Sequence, residues 1–155
     1  AMAEDIKLGI INLDRILTEC TPGKEAQSVL ETKIKASKVE LEKLKSELEA
    51  LKEDLEKQSV ALSQESKQEK ALEFRQKYAE YTQKVQESQM AVAEEQKKIL
   101  QPIIDELMKV VIEYGEDNDY TLILDTKNGG VAYAGEDINV TNEVLELFED
   151  AWKNR

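Results

Sequence analysis

Between Gly23 and Gly115 the chain contains no glycine, and its only proline there is Pro102. Within that stretch Leu41, Leu44, Leu48, Leu51 and Leu55 recur at alternating spacings of three and four. Tyr78, Tyr81 and Val85 resume the rhythm after a polar break. A segment this long without helix breakers predicts helix. The heptad spacing predicts that the helices pair along a narrow seam.

The break reads Leu62-Ser63-Gln64-Glu65-Ser66-Lys67-Gln68-Glu69. Ser66 with Glu69 fits a capping box, which would start a second helix there. An antiparallel pairing supports a turn at the same place. Leu30 with Ile103, Ile34 with Ile99, Leu41 with Val92, Leu48 with Val85 and Leu55 with Tyr78 share one residue-number sum, centred beside Ser66. A single interrupted rod is the alternative, since any two heptad runs align in some register. Agreement between cap and register favours a hairpin with its turn at 63–67. Each arm of ~40 residues would span ~60 Å.

The expected seam is imperfect. Ser37 faces Glu95, Leu44 faces Ser88 and Gln58 faces Phe74 in this register. Such polar layers set register at some cost in stability, and they also leave local flexibility. Pro102 predicts a kink in the returning helix. Beyond it, Ile103, Ile104, Leu107, Val110 and Val111 form a stripe wider than a coiled-coil seam, as for a helix packed into a globular body.

Both ends of the chain read differently. Lys7 to Leu13 has the composition of a strand. Asp14 is a candidate cap for a short helix over 15–20. Thr21-Pro22-Gly23 predicts the next helix start, with a Thr cap and Pro in the first turn. Near the other end, Tyr120 to Asp125, then Lys127-Asn128-Gly129-Gly130, then Val131 to Ala134 predict a strand, a turn and a second strand. Thr141 is the expected cap of a final helix carrying Val144, Leu145, Leu147, Phe148 and Trp152. The fold class is therefore α+β, mostly α. A long antiparallel helical-hairpin arm, 24–102, is inserted in a small β/α head built from 6–23 and 103–155.

That head is thin. With one Trp, five Tyr and two Phe, the chain has little to build a large core. Three short strands leave open edges, which invite pairing. Several copies completing one another's sheet would solve this, through Ile10, Ile11, Leu13, Leu122, Leu124, Val131 and Tyr133. A monomer whose helix base covers the sheet is the alternative.

Composition excludes several functions. The net charge of −12 argues against nucleic acid, whose binding relies on clustered Lys and Arg. There is no histidine and one cysteine, so no Cys/His metal site and no intrachain disulfide is expected. Cys20 reads as a small apolar filler. No catalytic constellation, cofactor motif or metal loop stands out. The glycine pair at 129–130 follows a strand and precedes another, so it lacks the helix N-terminus of a phosphate loop. Glu94-Glu95 and Glu116-Asp117-Asp119 lack the pattern of a calcium loop. No apolar run reaches the ~18 residues of a membrane span. Ala1 to Asp5 reads as an expression remnant joined to a mature N-terminus.

Taken together, Ile10-Ile11-Asn12-Leu13-Asp14-Arg15-Ile16-Leu17, Thr21-Pro22-Gly23-Lys24 before a heptad arm, Pro102 in the returning helix, and the two C-terminal strand motifs resemble the Skp/OmpH family of periplasmic chaperones. Asn139-Val140-Thr141-Asn142-Glu143-Val144-Leu145 is similar to that family's Asp-Ile-Thr…Val-Leu ending, with Asn and Val replacing its first two residues. The resemblance covers nearly the whole chain, and the two terminal motifs are its specific part. It implies a homotrimer with a β-barrel-like head and three arms around a cavity. It implies a periplasmic location after removal of a signal peptide, and an ATP-independent, non-enzymatic holdase for unfolded outer-membrane β-barrel proteins.

The resemblance does not extend to charge. The best-known members are strongly basic, whereas residues 115–155 alone carry three basic and ten acidic side chains. That weighs against binding anionic lipopolysaccharide and leaves membrane contact open. The arm is nearly balanced in charge. Its candidate client contacts lie toward the tip: Leu62, Leu72, Phe74, Tyr78, Tyr81 and Met90, with Lys67, Lys70 and Arg75 from a basic group that also includes Lys77. Phe74, Tyr78 and Tyr81 also suit the hairpin core, and the basic group also suits pairing with Glu65, Glu69 and Glu73. Two other functions fit a coiled coil: a structural spacer or adaptor, and a prefoldin-like holdase. Prefoldin subunits carry strands between their helices, whereas here strands flank them.

Overall fold

The computed structural model describes residues 5–155, so the remnant expected at the N-terminus falls outside it except for Asp5. In chain order the elements are strand β1 (Leu8–Ile11), helix α1 (Leu13–Glu19), helix α2 (Thr21–Gln58), helix α3 (Gln64–Asp117), strand β2 (Leu122–Asp125), a 3-10 turn (Glu136–Ile138) and helix α4 (Thr141–Lys153). They divide into two compact units, one reaching to Ser28 and resuming at Lys97, the other Val29–Gln96.

In the first unit β1 and β2 pair in parallel, from Leu8 opposite Leu122 to Ile11 opposite Asp125. Strands joined through two long helices have room for this crossover, which a short hairpin lacks. The strand expected at Val131 to Ala134 does not form, and the predicted β-hairpin is replaced by this parallel pair. The cause is local. Gly129 N–H donates to Asp125 O at 2.7 Å, and the Asp125 carboxylate accepts from both nitrogens of Asn128. The chain is turned away from β2 and reaches the far edge of β1, where Asn139 bridges to Ile10. β1 is thus central, and residues 9–11 are buried, as that position requires.

The core gathers one face from each helix. Ile16, Val144 and Phe148 are fully buried, with Leu107 almost so. Ile103, Leu107, Val110 and Val111 of α3 supply the wide stripe expected, with Ile104 half-buried. α3 runs through Pro102 and remains helical to Asp117. Phe148 packs beside Trp152 with ring centroids 5.8 Å apart.

The helix starts differ from expectation in which side chain does the capping. Asn12, not Asp14, caps α1 by accepting from Arg15 N–H at 2.9 Å. Asp14 forms an ion pair with Lys127 instead. Thr21 does not cap α2 with its own hydroxyl. Its N–H and hydroxyl both donate to the Glu149 carboxylate, a negative group well placed at a helix N-terminus. Cys20 serves the same helix: its sulfur accepts from Gly23 N–H at 3.3 Å, while its own N–H closes α1 on Ile16 O. At α4, the hydroxyl of Thr141 accepts from Asn12 N–H, and the Asn139 side chain accepts from Thr141 N–H.

The second unit is an antiparallel helical hairpin formed by the parts of α2 and α3 within it. Its turn occupies 59–63, ahead of the 63–67 expected. Ala61 and Leu62 N–H groups return to Gln58 O at 3.0 Å and end α2. Ser63, not Ser66, caps α3: its hydroxyl oxygen accepts from Ser66 N–H at 3.2 Å. The register moves accordingly. Ser37 meets Ser88 rather than Glu95, one heptad nearer the turn. Lys84 pairs with Glu40 at 3.1 Å, Lys33 with Glu95, and Lys70 with the Gln58 side chain at 3.1 Å. Leu48 is buried, and Leu41, Leu44, Leu51, Leu55, Phe74, Tyr81 and Val85 are half-buried, so most heptad positions do form the seam, but Ile34 and Tyr78, expected there, are exposed by 47% and 57%.

Candidate functional site

In the hairpin unit, a two-stranded coiled coil buries one narrow face of each helix and leaves other apolar residues exposed. Leu72, Tyr78 and Met90 are exposed, Met90 by 72%. Phe74 and Tyr81 belong to the seam and are half-buried, as are Leu62, Lys67 and Lys70. Arg75 is exposed. Phe74 and Tyr78 stack, with ring centroids 6.3 Å apart, so the exposed tyrosine is braced by a seam residue. Lys70 donates to the Gln58 side chain at 3.1 Å. The proposed contacts are therefore a mixture of exposed and half-buried positions.

Two features of this unit were not anticipated as sites. Val60 in the turn is 96% exposed, an apolar side chain at the hairpin end. Beside the Ser37–Ser88 contact, Ile34, Leu41, Val92 and Ala93 line an open groove of about 450 Å³. Small serines facing each other leave space that leucines would fill, and the two serines were visible as gaps in the seam pattern.

In the other unit the parallel register puts Leu8, Ile10, Leu122 and Leu124 on one sheet face, and Ile11 and Ile123 on the other. The second face packs into the core. On the first, Leu8, Leu122 and Leu124 are exposed. Of the residues proposed for assembly, Ile10 and Ile11 are buried within the chain, Leu13 and Val131 are half-buried, and Tyr133 is 89% exposed. β2 has no further partner on its outer edge among the described residues.

Several ionisable groups of this unit are shifted by their surroundings. Burial pushes the Cys20 thiol up, against the bond from Gly23. Burial, with help from Tyr120, pushes the Tyr114 hydroxyl up to about 12, and the two rings stack 5.6 Å apart. Burial would raise the Asp125 carboxyl, but hydrogen bonds from Asn128, Leu13 and Lys127 together hold it below the usual carboxylate range. Among the described residues no cluster of three or more ligating side chains is placed to hold a metal, and no helix is long and apolar enough to cross a membrane.

Residues 7–148 match the family described as "Outer membrane protein (OmpH-like)". Among solved structures, an OmpH-like protein from Caulobacter crescentus CB15, described as a candidate outer membrane chaperone, superposes with a TM-score of 0.76. The two are 19% identical, over 96% of this chain and 86% of that one, a likeness that shows the fold. No curated protein matches the chain significantly. With the family match running from β1 into α4, the chain belongs to the OmpH-like outer membrane protein family.

Proposed function

We propose that this protein is an ATP-independent holdase that keeps unfolded outer-membrane proteins from aggregating, working as a homotrimer in the periplasm. The carrying observation is the hairpin's surface. Val39, Leu72, Tyr78 and Met90 are exposed apolar side chains dispersed among nearly balanced charges. Scattered weak contacts suit a client without fixed structure, which offers no single feature to recognise. Several arms held by one assembly raise the effective concentration of such contacts, and each remains weak enough for release without an energy source. Family membership and the chaperone description of the Caulobacter crescentus protein support the reading.

The assembly role falls to the head, 6–23 with 103–155. The exposed leucines at 8, 122 and 124 and the unpaired edge of β2 give a second copy something to cover. The gripping role falls to the arm, 24–102. Its test is an arm-shortened chain. Ser37 lies opposite Ser88, so Leu44 can be joined through a new turn to Tyr81, removing 45–80 without disturbing the remaining register. The shortened chain is expected to assemble like the full one but to lose suppression of aggregation of a denatured outer-membrane protein, both without ATP. Equal protection by the shortened chain would place the activity outside the arm. Full-length chain that protects no client would favour a spacer or adaptor.

A further inference from the structure

Asn128 is the only asparagine of the chain that precedes a glycine. Such a step is chemically labile because glycine leaves its own amide nitrogen unobstructed. The Gly129 nitrogen attacks Asn128 Cγ, and a new C–N bond closes a succinimide. The Cγ–Nδ2 bond breaks, and the nitrogen's proton leaves with the side-chain nitrogen as ammonia. Water then opens the ring at either carbonyl, giving aspartate or isoaspartate. No oxidant or reductant is involved, and water is the only co-reactant.

In the folded chain both reacting groups are held back by one residue. Gly129 N–H, which must lose its proton to attack, donates to Asp125 O at 2.7 Å. The Asn128 side-chain nitrogen donates to Asp125 Oδ2 at 2.7 Å, and its backbone N–H donates to the same oxygen at 3.1 Å. The side-chain amide is therefore pinned to the carboxylate instead of being free to turn onto the glycine nitrogen. Glycine itself is required here. A Cβ at position 129 would lie 2.4 Å from Asp125 O, well inside contact distance. The turn thus demands the residue that makes its asparagine labile.

We infer that Asn128 is a latent deamidation site, kept intact in the folded head by its bracket on Asp125 and converted when that bracket opens. Conversion to aspartate replaces the donating amide with a carboxylate facing Asp125 Oδ2, and conversion to isoaspartate adds a carbon to the main chain as well as a carboxylate. A hydrogen bond becomes a like-charge contact, so the turn cannot close as before. Asp125 also accepts from Leu13 N–H at 3.4 Å, and Lys127 pairs with Asp14, so the same turn ties β2 to the start of α1. Each opening that ends in conversion loosens that tie irreversibly, and the modified residue records that the head had opened.

The test follows conversion at one site with time. The full chain is incubated in mildly alkaline buffer, folded or unfolded in urea, and cut after glutamate so that Asn128 lies in the peptide between Glu116 and Glu136. Mass spectrometry and an isoaspartyl assay then read aspartate and isoaspartate. The folded chain is expected to convert at least ~10-fold more slowly than the unfolded one, as charge-assisted hydrogen bonds of ordinary strength imply. Gly129→Ala is expected to suppress conversion in the unfolded chain, which identifies the nitrogen attack. Asp125→Ala, shown folded by circular dichroism, frees the Asn128 side chain but keeps the bond from Gly129 N–H to the backbone carbonyl at 125, and is expected to convert faster than folded wild type and more slowly than the unfolded chain. Equal rates in folded and unfolded wild type, no conversion at Asn128 in urea, or a folded Asp125→Ala as slow as wild type would each overturn the inference. Should Asp125→Ala not fold, the wild-type comparison decides alone.

Discussion

The Ser37 hydroxyl bonds to the Ser88 hydroxyl across the hairpin, one heptad nearer the turn than the spacing of apolar residues suggested. A slip of about one heptad keeps Leu41, Leu44, Leu48, Leu51 and Leu55 in the seam, so the pattern of leucines cannot detect it. What decides is the turn, whose start is fixed by Gln58 O and whose end is fixed by Ser63. Cysteines at 37 and 88, in a Cys20→Ser background, should therefore form an intrachain disulfide readily, because their side chains already touch. The pair at Leu48 and Val85 should not. Electrophoresis without reductant reads both, and the reverse result would restore the other register.

The same logic separates what was legible in the chain from what was not. Leu48, Leu51 and Leu55 announced a seam because burial repeats with the heptad. Ile103, Leu107 and Val110 announced a helix packed in a core because their stripe is wide. Capping was less legible, since Asn12, Asp14, Ser63 and Ser66 are all competent caps and only the folded backbone selects among them. The strand expected at 131–134 failed for a different reason. Val131-Ala132-Tyr133 has strand composition, but a strand needs a partner, and within one chain β1 gives its free edge to Asn139. The exposure of the candidate client positions was only partly legible. Leu72, Tyr78 and Met90 are exposed, Tyr78 although the heptad placed it in the seam, whereas Phe74 and Tyr81 were open to either reading and lie in the seam.

Gly23 is packed against α1 more tightly than any other side chain would permit. A Cβ there would lie 1.7 Å from Leu17 O and 3.0 Å from the Cys20 sulfur. Gly23→Ala should lower stability by ~1–3 kcal/mol or more through forced displacement of backbone. Urea unfolding followed by circular dichroism measures it. An unchanged midpoint would mean that α1 and α2 separate at little cost.

Asp125 gives the head a defined acid sensitivity. Its carboxyl is held below the ordinary range in the folded chain, so the folded state binds its proton less readily than the unfolded state. The resulting stabilisation is present above the unfolded pKa and is lost as pH falls through the folded one. Asp125→Asn should therefore be less stable than wild type at neutral pH, and the difference should shrink in acid. Unfolding curves across that range show whether the gap closes. A gap independent of pH would assign the effect to shape, not charge.

Cys20 should be silent toward thiol reagents until the head unfolds. The side chain is fully buried, and burial raises its pKa, so at neutral pH it is a protonated thiol without access to solvent. Labelling by a maleimide in the native chain should be far slower than in urea. Rapid native labelling would show that the contact between α1 and the start of α2 opens frequently.

The outer face of the sheet offers the sharpest test of assembly. Leu122 and Leu124 are exposed by 46% and 37%, and Leu8 beside them by 47%, whereas Ile123 between them turns into the core. An exposed apolar face on a strand with an open edge is a surface that a neighbouring copy can cover. Substituting both leucines with lysine leaves the inner face intact, so each chain should keep its helical signal and a cooperative transition. Three lysine-bearing copies brought together would each bury charge without partners, which strongly disfavours association. Light scattering should then report the mass of one chain, where wild type is expected to report three. Variants that assemble as well as wild type would show that copies meet elsewhere, with Tyr133, 89% exposed, the next position to substitute. A variant that loses its helical signal would instead show that the outer leucines stabilise the single chain, and the assembly surface would have to be sought away from this sheet.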